Sequence, residues 1–380
     1  MRRLQVLAFA APLLGALGCH DATAPQSAAV RDTLAAQQTR LTAGFTTIDV
    51  PGATNTATLG INASGVITGA YNPVVGHGVG FVRARDGSIT AFAVPDARAT
   101  VPQSINSRGE IAGVFFDSHN NAHGFVGETD GTITTFDDPD AGRGQIGGTY
   151  AWAINASGVI TGNFLDAGGV FHGFVRDPDG TMTTFDVPGE GRGLYQGTVT
   201  SGSINNRGVI AGSYVDANNV AHGFMRDPDG MITTFDAPGA GAGPYQGTNV
   251  GQNVISSSGV IAGDYYDANN VDHGFVRDRD GTITTFDAPG AGAGQYQGTW
   301  SAGINAAGEI IGGYYSASHT NHGFVRDPDG TIATLDVPGA AGTVPLDIND
   351  SGAITGGYYA SKPYRIVHGF LFDPHGRSKP

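Results

Sequence analysis

One unit is written over and over along this chain, and its last clause has been moved to the front. The unit reads Ile-Asn-x-x-Gly-Val-Ile-x-Gly, then a stretch with Tyr and Asp, then His-Gly-Phe-Val-Arg-Asp-Pro-Asp-Gly-Thr-Ile-Thr-Thr-Phe-Asp-x-Pro-Gly, from about residue 61 to the C-terminus. Its phase is marked by Phe81, Phe125, Phe174, Phe224, Phe275, Phe324 and Phe370, spaced 44 to 51 residues apart. Such a period means one supersecondary unit that buries its apolar surface only against its neighbours. The seventh unit breaks off after His368-Gly369-Phe370 and Asp373-Pro374-His375-Gly376. Its missing segment stands at Phe45-Thr46-Thr47-Ile48-Asp49-Val50-Pro51-Gly52, ahead of the first full unit. A rod of repeats needs distinct caps at both ends, whereas a displaced copy of the last strand supplies a partner for an otherwise open edge. The array is therefore expected to close into a ring.

Within the fourth unit, four segments have strand character: Thr200 to Ile204, Val209 to Val215, His222 to Arg226 and Met231 to Asp236. The connections between them are turns by composition. Asn205-Asn206-Arg207-Gly208 offers residues that tolerate positive φ, Asp216-Ala217-Asn218-Asn219 bonds its own backbone, and Asp227-Pro228-Asp229-Gly230 places Pro and Gly as a type I turn wants them. Four short antiparallel strands in about 47 residues match one blade of a β-propeller. The expected fold is all-β: a seven-bladed β-propeller over residues 45–376, with the N-terminal strand completing the last blade. The 61 glycines recur at fixed places beside apolar strand residues, so they mark turns and close packing rather than disorder.

The N-terminus reads as an export signal. Met1-Arg2-Arg3 is a positive start, Leu4 to Leu14 an apolar stretch, and Ala16-Leu17-Gly18-Cys19 a cleavage site that ends in the only cysteine. The expectation is a signal peptide over 1–18 and lipidation of Cys19, with residues 19–44 as a flexible tether. With His20 rather than Asp after the cysteine, the expected address is the bacterial envelope at the outer membrane, held only through the lipid. A single cysteine allows no internal disulfide, so stability must come from packing. The formal charge of −14 and the absence of a basic stripe exclude nucleic acid as a partner, and a monomer is expected.

His-Gly-Phe followed by Val-Arg-Asp, and preceded by Ile-Asn-x-x-Gly-x-Ile-x-Gly, resembles the extracellular HAF-repeat family of bacteria. The resemblance covers nearly all of the chain after the tether. The family repeat usually has Ala between His and Phe, where this chain has Gly. The resemblance implies export and a repeat architecture, and it carries over no catalytic residues.

His123, His172, His222, His273, His322 and His368 recur in six units and so cannot converge on one ion; each is expected to be a buried anchor bonded to the Asp of the Phe-Asp-x-Pro-Gly segment or the Asn of Ile-Asn. The Asp-x-Asp-Gly sequences at Asp177, Asp227, Asp278 and Asp327 hold too few oxygens for a calcium loop and read as turns, with calcium a secondary possibility and no cofactor expected. No linear catalytic motif is present. Function is expected where units depart from their common text, in the long connections that follow the third, fourth and fifth units. Tyr195, Gln196, Tyr245, Gln246, Tyr296 and Gln297 lie there, with Trp152 and Trp300 nearby, and flat aromatics beside amides suit a glycan or protein ligand. The opposed expectation for the tyrosines is that they are plugs between blades. An extracellular enzyme, a polysaccharide lyase or glycosidase using Glu190, Asp166 and His119 or His319, is the competing function, and a ligand-free scaffold the third.

Overall fold

The computed structural model describes residues 44–375, except residues 75, 129, 145, 146 and 363–365. The expected signal peptide, Cys19 and all of the tether but Gly44 lie outside the described residues, as does Gly376. Among the described residues the regular structure is 28 strands and no helix, and so no helix long and apolar enough to cross a membrane.

Strand β1 (Phe45–Ile48) precedes the first unit, β2 (Asn55–Ile61), β3 (Ile67–Val74), β4 (His77–Arg83) and β5 (Ile89–Phe92). The second unit is β6 (Ala99–Ile105), β7 (Ile111–Phe116), β8 (Ala122–Gly127) and β9 (Ile133–Phe136); the third is β10 (Gly148–Ile154), β11 (Ile160–Leu165), β12 (Phe171–Arg176) and β13 (Met182–Phe185). The fourth is β14 (Gly197–Ile204), β15 (Ile210–Val215), β16 (Ala221–Arg226) and β17 (Ile232–Phe235), and the fifth is β18 (Gly247–Asn249), β19 (Ile261–Tyr266), β20 (Asp272–Arg277) and β21 (Ile283–Phe286). Then come β22 (Gly298–Ile304), β23 (Ile310–Tyr315), β24 (Asn321–Arg326) and β25 (Ile332–Thr334), and finally β26 (Gly342–Ile348), β27 (Ile354–Tyr359) and β28 (Val367–Phe372).

Each unit is an antiparallel meander. The last sheet runs β1-β28-β27-β26, with Phe45 opposite Phe372 and Ile48 opposite Gly369. First strands begin earlier than the alternation predicts: β14 starts at Gly197 rather than Thr200, because its pairing with β15 shifts between Val199 and Ser203 and the irregularity hides the period of two.

The marker phenylalanines are the core. Phe81, Phe125, Phe174, Phe224, Phe275, Phe324 and Phe370 are wholly buried. In four successive units the Phe of the fourth strand meets the marker Phe of the next unit edge-on: Phe136 with Phe174, Phe185 with Phe224, Phe235 with Phe275 and Phe286 with Phe324. An arginine of that next unit caps the same ring, as Arg176 does over Phe136 at 4.8 Å. The glycine between His and Phe has a steric cause. A Cβ on Gly173 or Gly223 would stand 2.5–2.6 Å from the ring of Phe185 or Phe235, so alanine does not fit there.

Two side-chain bonds repeat at the junctions. A buried Thr near the start of each first strand accepts from the backbone N–H just after the preceding fourth strand, as in Val187 N–H to Thr198 Oγ1 at 2.8 Å and Val50 N–H to Thr56 Oγ1 at 3.1 Å. The Asn of Ile-Asn donates through Nδ2 to the equivalent carbonyl of the next unit: Asn62 to Asn106, Asn106 to Asn155, Asn155 to Asn205, Asn205 to Ser256 and Asn305 to Asn349. Asn349 then donates to Asn62 O at 3.0 Å, so the last unit meets the first.

Candidate functional site

The second-to-third-strand turns and the long connections lie on one face, because backbone bonds tie them together. Tyr195 N–H donates to Gly169 O (2.8 Å), Tyr245 N–H to Asn219 O (2.7 Å) and Tyr296 N–H to Asn270 O (2.7 Å). Each connection is thereby fixed to the turn of the unit before it.

The glutamines fix it to the unit after. Gln196 Oε1 accepts from Gly193 N–H and its Nε2 donates to Ala217 O and Asn219 Oδ1. Gln246 does the same with Gly243, Ala268 and Asn270, and Gln297 with Gly294, Ala317 and the His319 ring. Expected as ligand contacts, these carboxamides are instead consumed in holding the loops, since a largely buried amide must find its partners inside the protein. His319 is held in the same contact.

The tyrosines are not equivalent. All three have left-handed backbones, φ 62° at Tyr195, 66° at Tyr245 and 61° at Tyr296, where Gly or Asn is the ordinary choice. Tyr195 is half-buried against Phe171, with ring centroids 6.5 Å apart. Tyr245 is 81% exposed and Tyr296 40%. The interblade-plug expectation thus fits Tyr195 and fails for Tyr245. Trp152 and Trp300 sit on the first strands β10 and β22: Trp152 stacks on Tyr150 and donates to Asn163 Oδ1, and Trp300 lies over Gly313. Both are half-buried.

Beneath the loops runs a second repeated constellation. His123, His172, His222, His273, His322 and His368 bond through Nδ1 to Asp137, Asp186, Asp236, Asp287, Asp336 and Asp49 at 2.7–3.0 Å. The Asp of the Phe-Asp-x-Pro-Gly segment is therefore the anchor, and β1 supplies it for the last unit. The rings are partly exposed rather than buried, and each stacks on an aromatic of the second strand, such as Phe164 on His172 at 4.9 Å. In the second to fifth units Nε2 faces the carboxylate that opens the turn, as Asp166 at 3.6 Å from His172. Burial works against ionisation of Asp166, but N–H groups of Val170 and Gly168 hold its carboxyl below the ordinary range.

Among the described residues, only in the third unit does an extra acid join. Glu190 has its side chain 3% exposed, accepts from Thr198 Oγ1 and lies 3.2 Å from the Arg192 guanidinium. Burial pushes its carboxyl up. One ligand atom each from His172, Asp186 and Glu190 lies within 4.8 Å of the others, a spacing that would suit a metal ion, although Arg192 already pairs with both acids. A cavity of about 390 Å³, bordered by Asp140, Phe164, Asp166, His172 and Asp186, opens beside them. The Asp-x-Asp-Gly sequences are turns, with Asp179 and Asp280 accepting from Thr181 and Thr282 N–H two residues on. Asp327 and Asp329 help border a shallow acidic cavity of about 620 Å³ on the opposite face.

The fold is all-β and propeller-like. No family model matches the chain, and no curated protein does. Among solved structures it is similar to a puromycin hydrolase, at 13% identity and TM-score 0.52, over 84% of this chain and 53% of that one. The chain thus spans about half the length of that hydrolase, and the likeness concerns fold alone. The Aleuria aurantia lectin in complex with a fucosylated disaccharide aligns at 14% identity and TM-score 0.42 over 77% of this chain and 99% of the lectin. A gluconolactonase from Xanthomonas campestris aligns at 11% identity and TM-score 0.36 over 84% of this chain and 87% of the other.

Proposed function

We propose that the chain is an exported surface lipoprotein of the HAF-repeat kind, a seven-bladed propeller closed by β1, that binds a glycan through the face of the long connections. The observation that carries the binding reading is Tyr245. An aromatic side chain at 81% exposure gains nothing from packing, and its left-handed backbone costs about 1 kcal/mol that glycine would avoid. The same side of the sheets carries half-exposed carboxylates, Asp236 and Asp287, held by His222 and His273, and sugars are bound by a flat ring together with hydrogen-bond acceptors. Rigid loops, stapled by Gln246 and Gln297, present the rings with little ordering cost.

The test is the triple variant Tyr195→Ala, Tyr245→Ala and Tyr296→Ala on a glycan array, with a pull-down from the native envelope. Binding should be lost, and the melting temperature should fall only by the contribution of the half-buried Tyr195. A stable variant that still binds would remove this face as the site. A second reading, a hydrolase of the same ligand, is favoured by Glu190: an acid whose carboxyl is pushed up by burial, beside Asp186 and His172 and next to an open cavity, is placed as a general acid would be. Release of reducing ends from a bound glycan, abolished by Glu190→Gln, would carry it.

A further inference from the structure

The fifth unit breaks the pattern in three places at once. Its first strand, β18, is the shortest of the first strands, Gly247–Asn249, and Ser256 replaces the junction asparagine. Its sheet also carries two acids that its neighbours lack. Asp264 stands where the third, fourth and sixth units have Asn163, Ser213 and Gly313, and Asp272 where they have Phe171, Ala221 and Asn321.

The register puts these acids together. Asp264 is opposite Asn249 on one side and Gly274 on the other, and Asp272 precedes Gly274 by two residues, so all four share one face of the sheet. The two carboxyls contact each other; Asp264 also receives the Asn249 side chain and Ser301 N–H from the sixth unit, and Asp272 receives His273 N–H. Asp272 is 7% exposed, and its Oδ1 is buried with no hydrogen bond. The further charge that acts on Asp272 is Asp287, also negative. Two touching carboxyls, Asp272 buried and Asp264 half-buried, with an orphaned oxygen on the buried one and no positive charge acting on either, leave like charges unbalanced unless a proton or a cation lies between them. Burial raises both carboxyls above the ordinary range.

We propose that Asp264, Asp272 and Asn249 hold a hard divalent cation of the calcium type, which ties the fifth unit to the sixth. The donors are oxygens alone once the Asn249 carboxamide turns its Oδ1 inward, and calcium accepts such a set together with waters in loose geometry. A site made only of oxygens excludes the thiolate- and imidazole-seeking metals. A cation would also satisfy the buried Asp272 Oδ1, which has no hydrogen bond. Asp272 N–H donates to Gln297 O, so the site also underlies the loop that presents Tyr296.

The experiment uses the full chain stripped with EDTA, titrated with calcium chloride by calorimetry and melted with and without the ion. One bound equivalent and a raised melting temperature are expected, and both should vanish in Asp264→Asn and Asp272→Asn while persisting in the turn variant Asp278→Asn. Terbium luminescence excited through tyrosine, with Tyr266 opposite Asp272, gives a second readout on the unmutated protein should a variant fail to fold. Absence of binding in the unmutated protein, or loss of it in Asp278→Asn but not in Asp272→Asn, would overturn the proposal.

Discussion

At the scale of single residues, one half-buried acid marks the place where the last unit meets the first. Asp347 Oδ2 accepts Ile61 N–H at 2.8 Å and Oδ1 accepts Ile348 N–H at 2.9 Å, so it joins the last unit to the first. Burial pushes its carboxyl up to about 7 from 3.8, outweighing those two bonds. A carboxyl that binds its proton more tightly when folded stabilises fully below pH 3.8 and loses that contribution as pH rises through about 7. Melting from pH 4 to 8 should therefore fall more steeply for the parent than for Asp347→Asn, and parallel curves would show that the acid is not coupled to folding. Asp347 was invisible to sequence reading, because one Asp inside a first strand looks like any other. The marker phenylalanines were legible because they repeat in phase, whereas the repeat left the histidines two partners, the Asp of Phe-Asp-x-Pro-Gly or the Asn of Ile-Asn, and the register selects the Asp. The glutamines misled: an amide next to an exposed ring resembles a sugar contact, and only the loop geometry reveals that its hydrogen bonds are already made.

Among elements, β1 carries the most inference. It bonds to β28 along its length, gives Asp49 to His368, and places Phe45 on Phe370 and Phe372 at 5.7 and 5.0 Å. Deleting residues 45–52 should expose the edge of β28, unpair His368 and lower the melt of the whole domain rather than fray one end. A deletion variant that melts with the parent would refute ring closure. The strand was readable because its text duplicates the fourth-strand segment. The bonds that lock it in place were not: Val50 N–H to Thr56 repeats the junction bond of Val187 to Thr198, and the Gly-Thr that opens most first strands was the available signal.

For the whole molecule, repetition makes the scaffold and departures from repetition make the candidate sites. Stapled connections with outward rings, the acid added at Glu190 and the carboxyl pair of the fifth unit all fall in the third to fifth units and their boundary with the sixth. Composition and period could place that sector but not grade its residues, because exposure is a property of the folded assembly. The central claim is that its outer aromatics meet a ligand. Hydroxyl-radical footprinting of the full-length protein, with and without glycan extracted from its own envelope, reads this directly. Protection confined to Tyr245 and Tyr296, with the opposite face at Asp327 to Asp329 unchanged, is the predicted result; equal labelling of both tyrosines with saturating glycan would contradict it.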